Sequence, residues 1–286
     1  MRTIVLCISD THGGFKLGLM NPKVKLIDWD EEGNPITFTP ESTAIQKYFW
    51  KLFTDGCKAL ELFARGDSIV AMHFGDATHG YKYPKTLVTT ELADQPAIAI
   101  SNFEPILTLP NVRSCRLVAG TDAHNFDDAN AEKLIINNLK LLYPDVSCGL
   151  VVHGLADVDG VEIEYAHQGA FPGSKNHLKG NVAHQYLRDK MIGELMAGNT
   201  PPQLYIYGHY HEWLWVSETV SIGDKDYTSH LMVMPSFNFP NLWTTAATRA
   251  QSRFTHGIVA LEIIDGKITD YKRFTRTIDR RTKEKI

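Results

Sequence analysis

The sequence has no excess of basic residues and no long apolar run. Its 286 residues include 29 Lys and Arg against 33 Asp and Glu, which gives a formal net charge of -4 at pH 7. This balance argues against a protein that binds nucleic acid through a broadly basic face, so any basic surface must be local. No apolar run approaches the ~20 residues that a membrane-spanning helix needs, and we therefore expect no membrane partner.

The sequence also lacks paired cysteines and a secretory signal. Its four cysteines, Cys7, Cys57, Cys115 and Cys148, form no Cys-x-x-Cys motif, and three of them lie in apolar runs. This spacing favours small buried side chains in a reducing compartment over disulfides or a thiolate metal site. The apolar run at the N-terminus is short and ends in polar residues, without a small-residue cleavage site. Together these features predict a cytoplasmic protein.

What the sequence does contain is an alternation of strand and helix patterns, followed by a region rich in strands. Continuous apolar runs predict buried strands at residues 3–9, 68–74, 113–119 and 203–207. Helical spacing of apolar residues predicts helices at 41–64, 89–107, 127–142 and 182–197. Asp-Gly steps predict hairpins at 159–160 and 265–266, and the chain after residue 275 is expected to fray. This order predicts one α/β domain with two sheets, spanning residues 1–286.

Two connections between the predicted elements are unusually long. Residues 13–40 carry scattered Gly, Pro and acidic residues and are predicted to be irregular, and residues 77–105 follow the second predicted strand. Long connections beside a strand end are typical of lids or caps, which select substrates. We therefore expect lid or cap insertions near 13–40 and 77–105.

Carboxylate and imidazole side chains follow directly after the predicted strands. They are Asp10, His12, Asp76, His124, His167, His209 and His211. Because ligands gather beyond the carboxyl ends of the strands in α/β sheets, these side chains are expected to meet at one edge of the sheet. Each signal is weak by itself, but chance does not readily place the whole set at strand ends.

The residue types in this set are suited to divalent transition metals. Carboxylates and imidazoles without thiolates fit manganese, which we expect first, or iron, zinc and nickel. Two metals about 3.5–4 Å apart need a bridging ligand, and the carboxylate of Asp76 is the natural candidate. Such a pair can clamp both the attacking and the leaving oxygen of a phosphoryl displacement, while a nearby unligated imidazole protonates the leaving oxygen.

The ordered motifs resemble those of the calcineurin-like metallophosphoesterases. The family pattern is Asp-x-His, Gly-Asp, Gly-Asn-His-Asp/Glu, a lone His and Gly-His-x-His. The corresponding residues are Asp10-Thr11-His12, Gly75-Asp76, Gly120-Thr121-Asp122-Ala123-His124, His167 and Gly208-His209-Tyr210-His211. Four of the five motifs match, and the resemblance spans roughly residues 3–211. It implies a two-sheet β-sandwich flanked by helices, with four layers in the order α/β/β/α.

The resemblance also implies a role for each residue of the set. The first metal would be bound by Asp10, His12 and His211, and the second by His167 and His209. Asp76 would bridge the two metals. The implied reaction is phosphoester hydrolysis through metal-activated hydroxide, with His124 as the general acid.

The third motif departs from the family pattern. Thr121 stands where the family has an Asn ligand, and His124 comes two residues later than the family's His. This arrangement is similar to a Gly-Thr-x-x-His version in phage-like members of the family, in which His124 would still reach the leaving group. Either Thr121 or a water completes the second metal, or the ligand is lost. Asp122 either orients His124 or is itself a ligand.

Three further features near the motifs each have two interpretations. His79 either contacts a substrate phosphate or is an exposed loop histidine. The segment 169–184 either presents basic groups to a phosphodiester backbone or is a solvated loop. Phe237, Phe239 and Trp243 either stack on a base or pack in a core or cap.

The leading functional hypothesis is a phosphodiesterase or nuclease that acts on DNA, RNA or nucleotides. It rests on the predicted metal ligands, the two long insertions and the phage-like third motif. The alternative is a phosphomonoesterase with the same metal site, because specificity depends on the lids. A third hypothesis, a non-catalytic scaffold built on a degraded site, is disfavoured by the six intact ligand candidates.

Overall fold

Two β-sheets pack face to face in this protein, with helices on both outer surfaces. The computed structural model describes residues 1–82, 84–124, 131–173, 179–240, 253–279, 281–282 and 284. The layers follow the order α/β/β/α, which confirms the predicted α/β fold class of a two-sheet sandwich flanked by helices.

Apart from two short strands within residues 13–40, the strands and helices of the described residues follow one another in the predicted order. The strands are β1 (Arg2–Ile8), β2 (Leu26–Trp29), β3 (Pro35–Phe38), β4 (Ser68–His73), β5 (Val112–Val118), β6 (Ser147–Val151), β7 (His153–Val158), β8 (Val161–Ala166), β9 (Leu204–Tyr207), β10 (Leu214–Ile222), β11 (Lys225–Val233), β12 (Arg253–Ile264) and β13 (Lys267–Asp279). The helices are α1 (Ala44–Ala64), α2 (Asp94–Leu107), α3 (Ala131–Leu142) and α4 (Asn181–Met196), with short 3₁₀ turns at Pro84–Thr86 and Asp122–His124.

The first sheet has the strand order β13-β12-β1-β4-β5-β6. Its strands β1, β4, β5 and β6 are parallel, because helices connect them across one face of the sheet. The hairpin of β12 and β13 turns at Asp265-Gly266, as predicted, and β12 pairs antiparallel with β1. The parallel arrangement brings the carboxyl ends of β1, β4 and β5 to one edge.

The second sheet has the strand order β10-β11-β9-β8-β7. Strands β7 and β8 form the predicted hairpin around Asp159-Gly160, and β8 lies parallel to β9 after the crossover through α4. The last residues of β8 and β9, Ala166 and Tyr207, are register partners. His167 and Gly208 therefore leave the second sheet side by side.

Apolar side chains fill all three spaces between the layers. In β1, Ile4 and Leu6 pack under the helices α1, α2 and α3, whereas Val5 and Cys7 pack between the sheets. Alternate residues of a strand point to opposite faces, so a strand that is covered on both faces needs a continuous apolar run. Helix α4 packs on the outer face of the second sheet. No helix in the described part of the chain is long and apolar enough to cross a membrane.

The cysteines have the environments that their sequence context predicted. Cys7, Cys57 and Cys115 are buried and Cys148 is half-buried, and all four are free thiols. Cys115 and Cys148 are register partners on the neighbouring strands β5 and β6. They fill space in the sheet without a disulfide.

The structure corrects three of the predicted boundaries. Residues 13–40 are not irregular throughout, because β2 and β3 pair antiparallel around a turn in which the Asp30 carboxylate accepts the Asn34 N–H at 2.7 Å. Helix α2, predicted at 89–107, begins at Asp94 and ends at Leu107, and it packs in the same layer as α1. Strand β13 continues to Asp279, beyond the predicted fraying point. The four-residue strands of the β2–β3 ribbon are too short and too exposed to show a clear period.

Candidate metal centre

The loops after β1 and β4 run side by side and carry the first three predicted ligands. The Asp10 N–H donates to the Gly75 carbonyl at 3.1 Å, and the His12 N–H donates to the Asp76 carbonyl at 3.0 Å. The parallel register of the two strands therefore continues beyond their ends. Asp10, His12 and Asp76 are all fully buried, which leaves their side chains few alternative positions.

The loops after β8 and β9 bring the predicted ligands of the second sheet next to those that follow β1 and β4. The Gly208 N–H donates to the His167 carbonyl at 3.0 Å, and the His209 N–H donates to Oδ2 of Asp10 at 3.1 Å. A Cβ at Gly208 would lie 2.3 Å from Oγ of Ser9 and 2.7 Å from the Phe74 carbonyl oxygen. Only glycine allows the ends of β1 and β9 to approach this closely, which explains the glycine before the histidine pair.

Most of the predicted ligands have a left-handed backbone conformation. The φ angles are 51° for Asp10, 45° for His12, 52° for Asp76, 69° for His209 and 55° for His211. Asp and His are among the residues that tolerate this region best, but each instance still costs about 1–3 kcal/mol. Such conformations persist where the surroundings enforce them, and they cluster at functional sites.

The first candidate ligand group consists of Asp10, His12 and His211. One ligand atom from each residue lies within 4.8 Å of the other two. Nε2 of His211 lies 3.1 Å from Oδ1 of Asp10, and Nε2 of His12 lies 4.0 Å from the same oxygen. Oδ2 of Asp10 accepts hydrogen bonds from the Ser9 hydroxyl and the His209 N–H, so this carboxylate is held at both oxygens.

The second candidate ligand group consists of Asp76, His167 and His209, again with one ligand atom from each within 4.8 Å of the others. Nδ1 of His167 lies 2.6 Å from the Phe74 carbonyl oxygen. Because a carbonyl only accepts, Nδ1 carries the proton, and in the neutral ring Nε2 carries a lone pair. That Nε2 lies 3.1 Å from Oδ2 of Asp76, in contact but without the geometry of a hydrogen bond.

The side chains at the site fit the divalent metals that the resemblance implies. Nε2 of His12 and Nε2 of His167 are buried and have no hydrogen-bond partner among the described residues, although buried polar atoms normally have one. Both atoms belong to a group that also supplies a carboxylate. The bond from His167 to a backbone carbonyl is the contact that metal-binding histidines usually make through their other nitrogen. Oxygen and imidazole donors without sulfur suit manganese, iron, zinc or nickel.

The charges at the site are mutually compensated. Burial by itself would raise the pKa of Asp10, but His211, His167 and the Ser9 hydroxyl together hold the pKa well below its usual range. Burial also opposes ionisation of Asp76, but His167 and His124 together lower the pKa of that carboxyl. Burial lowers the pKa of His167, but the carboxylates of Asp76 and Asp10 raise it to about 9, so a cation that binds Nε2 would have to displace a proton from it. Both carboxyl groups are therefore ionised at neutral pH, as metal ligands must be.

The loop at residues 120–124 rests on the carboxylate of Asp76. The Thr121 N–H donates to Oδ1 of Asp76 at 2.7 Å, and the Thr121 hydroxyl lies 3.2 Å from the same oxygen. The three residues that follow form a 3₁₀ turn, in which the His124 N–H donates to the Thr121 carbonyl. Asp122 is exposed and is in none of the candidate groups of His, Cys, Asp and Glu among the described residues. A ligand role for Thr121 stays a prediction.

His124 faces the metal-binding residues from this loop. Its Nδ1 lies 2.7 Å from the His79 carbonyl oxygen and so carries a proton. Its Nε2 lies 3.7 Å from Oδ2 of Asp76, and its side chain is 23% exposed. His124 therefore combines contact with the site and access from solvent, which a proton donor to a substrate needs.

His79 is the residue near the site whose environment the sequence did not reveal. It is buried, with 6% exposure, so the interpretation as an exposed loop histidine was wrong. Its Nδ1 lies 3.2 Å from Nδ1 of His12, and the ring of Phe15 stacks on it at 4.0 Å. His12, His79 and His124 form a third group with ligand atoms within 4.8 Å. A substrate contact by His79 stays a prediction.

The aromatic residues and the basic segment near the motifs have well-defined surroundings. Phe237 is fully buried and packs against Phe49 and Phe53, which favours core packing over base stacking. In the segment 169–184, Lys179 pairs with Glu212 and His184 pairs with Glu218. Residues 174–178 of that segment and Trp243 lie outside the described residues.

Comparison with known proteins gives matches among solved structures alone. No family model matches the chain. No curated protein matches it in sequence. A conserved uncharacterized protein from Streptococcus pneumoniae, described as a predicted phosphoesterase, is 13% identical over 98% of this chain and 99% of that chain, with a TM-score of 0.35. A metallophosphoesterase from Sphaerobacter thermophilus is 13% identical over 98% and 90%, with a TM-score of 0.34.

A third match, a protein of unknown function from Aquifex aeolicus, is 16% identical over 73% of this chain and 80% of that chain, with a TM-score of 0.27. Similarity at these scores is too low to carry a conclusion about function. The function must therefore be judged from the residues of the site itself.

Proposed function

We propose that this protein is a calcineurin-like metallophosphoesterase that hydrolyses phosphodiesters in nucleic acid or nucleotides with two divalent metals. One observation carries the proposal: two largely buried ligand groups lie at the edge where the ends of both sheets meet. The groups are Asp10, His12 and His211, and Asp76, His167 and His209. The motif resemblance divides the ligands in the same way, with Asp76 as the bridge.

The donor atoms support manganese first, and then iron, zinc or nickel. When bound, two such cations would supply hydroxide near neutral pH and clamp the attacking and leaving oxygens. The motif resemblance assigns Asp76 as the bridge, and its Oδ2 lies 3.1 Å from Nε2 of His167 while the Thr121 N–H orients its Oδ1. Asp10 faces the first group, because its Oδ1 lies 3.1 Å from Nε2 of His211.

His124 acts as the proton donor to the leaving oxygen in this proposal. The His79 carbonyl holds Nδ1–H, so the nitrogen that exchanges a proton with the substrate is Nε2. Nε2 lies 3.7 Å from Asp76, close enough to the metal ligands to reach a phosphoester bound over them. Its partial exposure allows the protonated ring to be regenerated from solvent after each turnover.

A diester substrate is supported by the insertion at residues 13–40. The insertion begins directly after His12, and its β2–β3 ribbon carries Trp29 with 66% exposure. An exposed aromatic side chain on a lid is suited to stacking on a nucleobase, which stabilises single-stranded nucleic acid by about 1–3 kcal/mol per base. The Gly-Thr-x-x-His motif points to the same substrate class.

The proposal is tested with manganese-loaded protein on bis-p-nitrophenyl phosphate, p-nitrophenyl phosphate and single-stranded DNA. We expect cleavage of the diester and of DNA, loss of activity with a chelator, and recovery on addition of Mn²⁺. Cleavage of the monoester alone would instead identify a phosphomonoesterase. Less than one equivalent of bound metal under Mn²⁺ saturation, with no hydrolysis of any substrate, would identify a non-catalytic scaffold.

A further inference from the structure

His79 is held firmly beside His12. Phe15 stacks on its ring with an angle of 8° between the planes, and its side chain is buried. The backbone N–H groups of His79 and Gly80 both donate to Oε1 of Gln95, at 3.1 and 2.9 Å, and Nε2 of Gln95 donates to the Gly80 carbonyl at 3.0 Å. Ring and backbone are thus both fixed, which is more support than a surface loop residue needs.

The contact between His79 and His12 determines which nitrogen carries each proton. Their Nδ1 atoms are 3.2 Å apart, so one must donate and the other accept, because two N–H groups or two lone pairs would repel each other. Nε2 of His12 is the nitrogen that faces Asp10. A nitrogen that binds a metal carries no proton, so the neutral His12 ring has its proton on Nδ1. Nδ1 of His79 is then the acceptor, and its own proton lies on Nε2.

We propose that His79 is a positioning residue for the metal site, an inference that rests on the proposed function. Its Nδ1 accepts the Nδ1–H of His12 and so holds that ring in the tautomer whose Nε2 can bind metal. Its backbone carbonyl accepts the Nδ1–H of His124 at 2.7 Å and orients the proton donor in the same way. His79 therefore orients the rings of both a predicted ligand, His12, and the predicted general acid, His124.

A third cation between His12, His79 and His124 is a less suitable explanation of the same cluster. His12 would have to give both ring nitrogens to cations, and so lose both protons. His124 could offer only Nε2, because its Nδ1–H is engaged by a carbonyl. This cluster has no carboxylate to balance the added charge, unlike the two ligand groups that contain Asp10 and Asp76.

The test compares Mn²⁺ binding in His79→Asn, His79→Gln and His79→Leu by equilibrium dialysis and by the electron paramagnetic resonance of the bound ions. Asn places an amide oxygen near the position of Nδ1, Gln extends its amide toward the position of Nε2, and Leu has no acceptor. We expect one Mn²⁺ equivalent to bind about 10–100-fold more weakly in the Leu and Gln variants, with His79→Asn close to wild type.

The pattern across the variants separates positioning from simple packing. If all three variants bind Mn²⁺ like the wild type, or if Asn weakens binding as much as Leu, His79 does not position His12. If His79→Leu does not fold, the Mn²⁺ affinities of the Asn and Gln variants still compare a side chain that has an acceptor near the position of Nδ1 with one that does not. A wild type that binds three equivalents and a Leu variant that binds two would make His79 a ligand and overturn the inference. A wild type that binds no Mn²⁺ would overturn the proposed function along with it.

Discussion

The two parts of the candidate site are held in different ways. The loops after β1 and β4 are buried and joined by backbone hydrogen bonds, and they carry ligands in a left-handed conformation. The loop at residues 120–124 is partly exposed and is held by contacts that each involve a side chain. Thr121 donates to Asp76, the Thr78 hydroxyl donates to the His124 carbonyl at 2.9 Å, and the His124 ring donates to the His79 carbonyl at 2.7 Å.

This difference explains where the sequence departs from the family pattern. The buried loops tolerate little change, because the Asp10, His12 and Gly13 N–H groups each donate to a carbonyl of the neighbouring loop. The 120–124 loop can accept two additional residues, since the three residues after Thr121 form a partly exposed turn. We therefore expect substitutions in the buried part to remove metal, and substitutions in the loop to slow turnover while metal stays bound.

The largest effect is expected for Asp76→Asn. An amide cannot supply the shared negative charge that two divalent cations need, so both equivalents of Mn²⁺ should bind much more weakly. Because metals contribute several kcal/mol to the transition state, diesterase activity should fall by at least about 10⁴-fold. Metal analysis and the bis-p-nitrophenyl phosphate assay give the two readouts. Retention of both equivalents at wild-type affinity would show that Asp76 is not a shared ligand.

His124→Ala should slow turnover without loss of metal. General acid catalysis contributes about 10²–10⁴-fold, so we expect kcat to fall by about 10³-fold while two Mn²⁺ equivalents remain bound. Steady-state kinetics and metal stoichiometry on the same preparation make this measurement. If one equivalent of metal is lost instead, His124 is a ligand and the distinction between the two regions disappears.

Gly120→Ala should show that a change in the 120–124 loop disturbs the buried part of the site and lowers activity. The added Cβ would lie 2.2 Å from Oδ1 of Asp76 and 2.5 Å from its backbone nitrogen, so either the loop or the carboxylate must shift. Misplacement by about 1 Å costs about 100-fold in activity. Gly193→Ala is the matched control, because its Cβ would meet nothing within 4 Å and lies in α4. Equal activity of the two variants would mean that the loop does not rest on Asp76.

Glu132→Gln probes the buried carboxyl group in the first turn of α3. Glu132 is fully buried, and neither of its carboxyl oxygens has a hydrogen-bond partner among the described residues. Burial raises its pKa from 4.5 to about 7. The folded state then binds more protons than the unfolded state in this range, so stability falls as the pH rises through it.

The free energy of unfolding of the metal-free wild type should fall by roughly 3 kcal/mol between pH 4.5 and 7, relative to Glu132→Gln, which cannot ionise. Urea unfolding of both proteins across this pH range measures the difference. Parallel stability profiles would show that Glu132 does not titrate there.

The smallest effect is expected for Thr121→Val. The variant loses a hydroxyl 3.2 Å from Asp76 but keeps the backbone N–H at 2.7 Å, which makes the shorter bond. A single hydrogen bond is worth about 1 kcal/mol, so activity should fall by no more than about fivefold. Loss of a Mn²⁺ equivalent would instead assign Thr121 as a ligand.

Much of the fold followed from local patterns along the chain. The run of apolar residues in β1 predicted a strand buried on both faces, and the helical spacing in α1 predicted a helix that packs on the sheet. The β2–β3 ribbon escaped prediction because four-residue strands with an exposed face carry too little periodicity. Helix α2 was predicted, but its place in the layer beside α1 was not. The helical spacing of apolar residues shows which face of a helix is buried, but it does not show which element covers that face.

By itself, the sequence determined the type of chemistry at this site. Carboxylates and imidazoles directly after strands must gather at a sheet edge, whatever the details of packing. The tertiary structure alone decided which hydrogen bonds orient these groups. The contact of His79 with His12 joins residues 67 positions apart, and the contact of His209 with Asp10 joins residues 199 apart. Proton positions and ligand orientation depend on such contacts, which form only after both sheets have packed together.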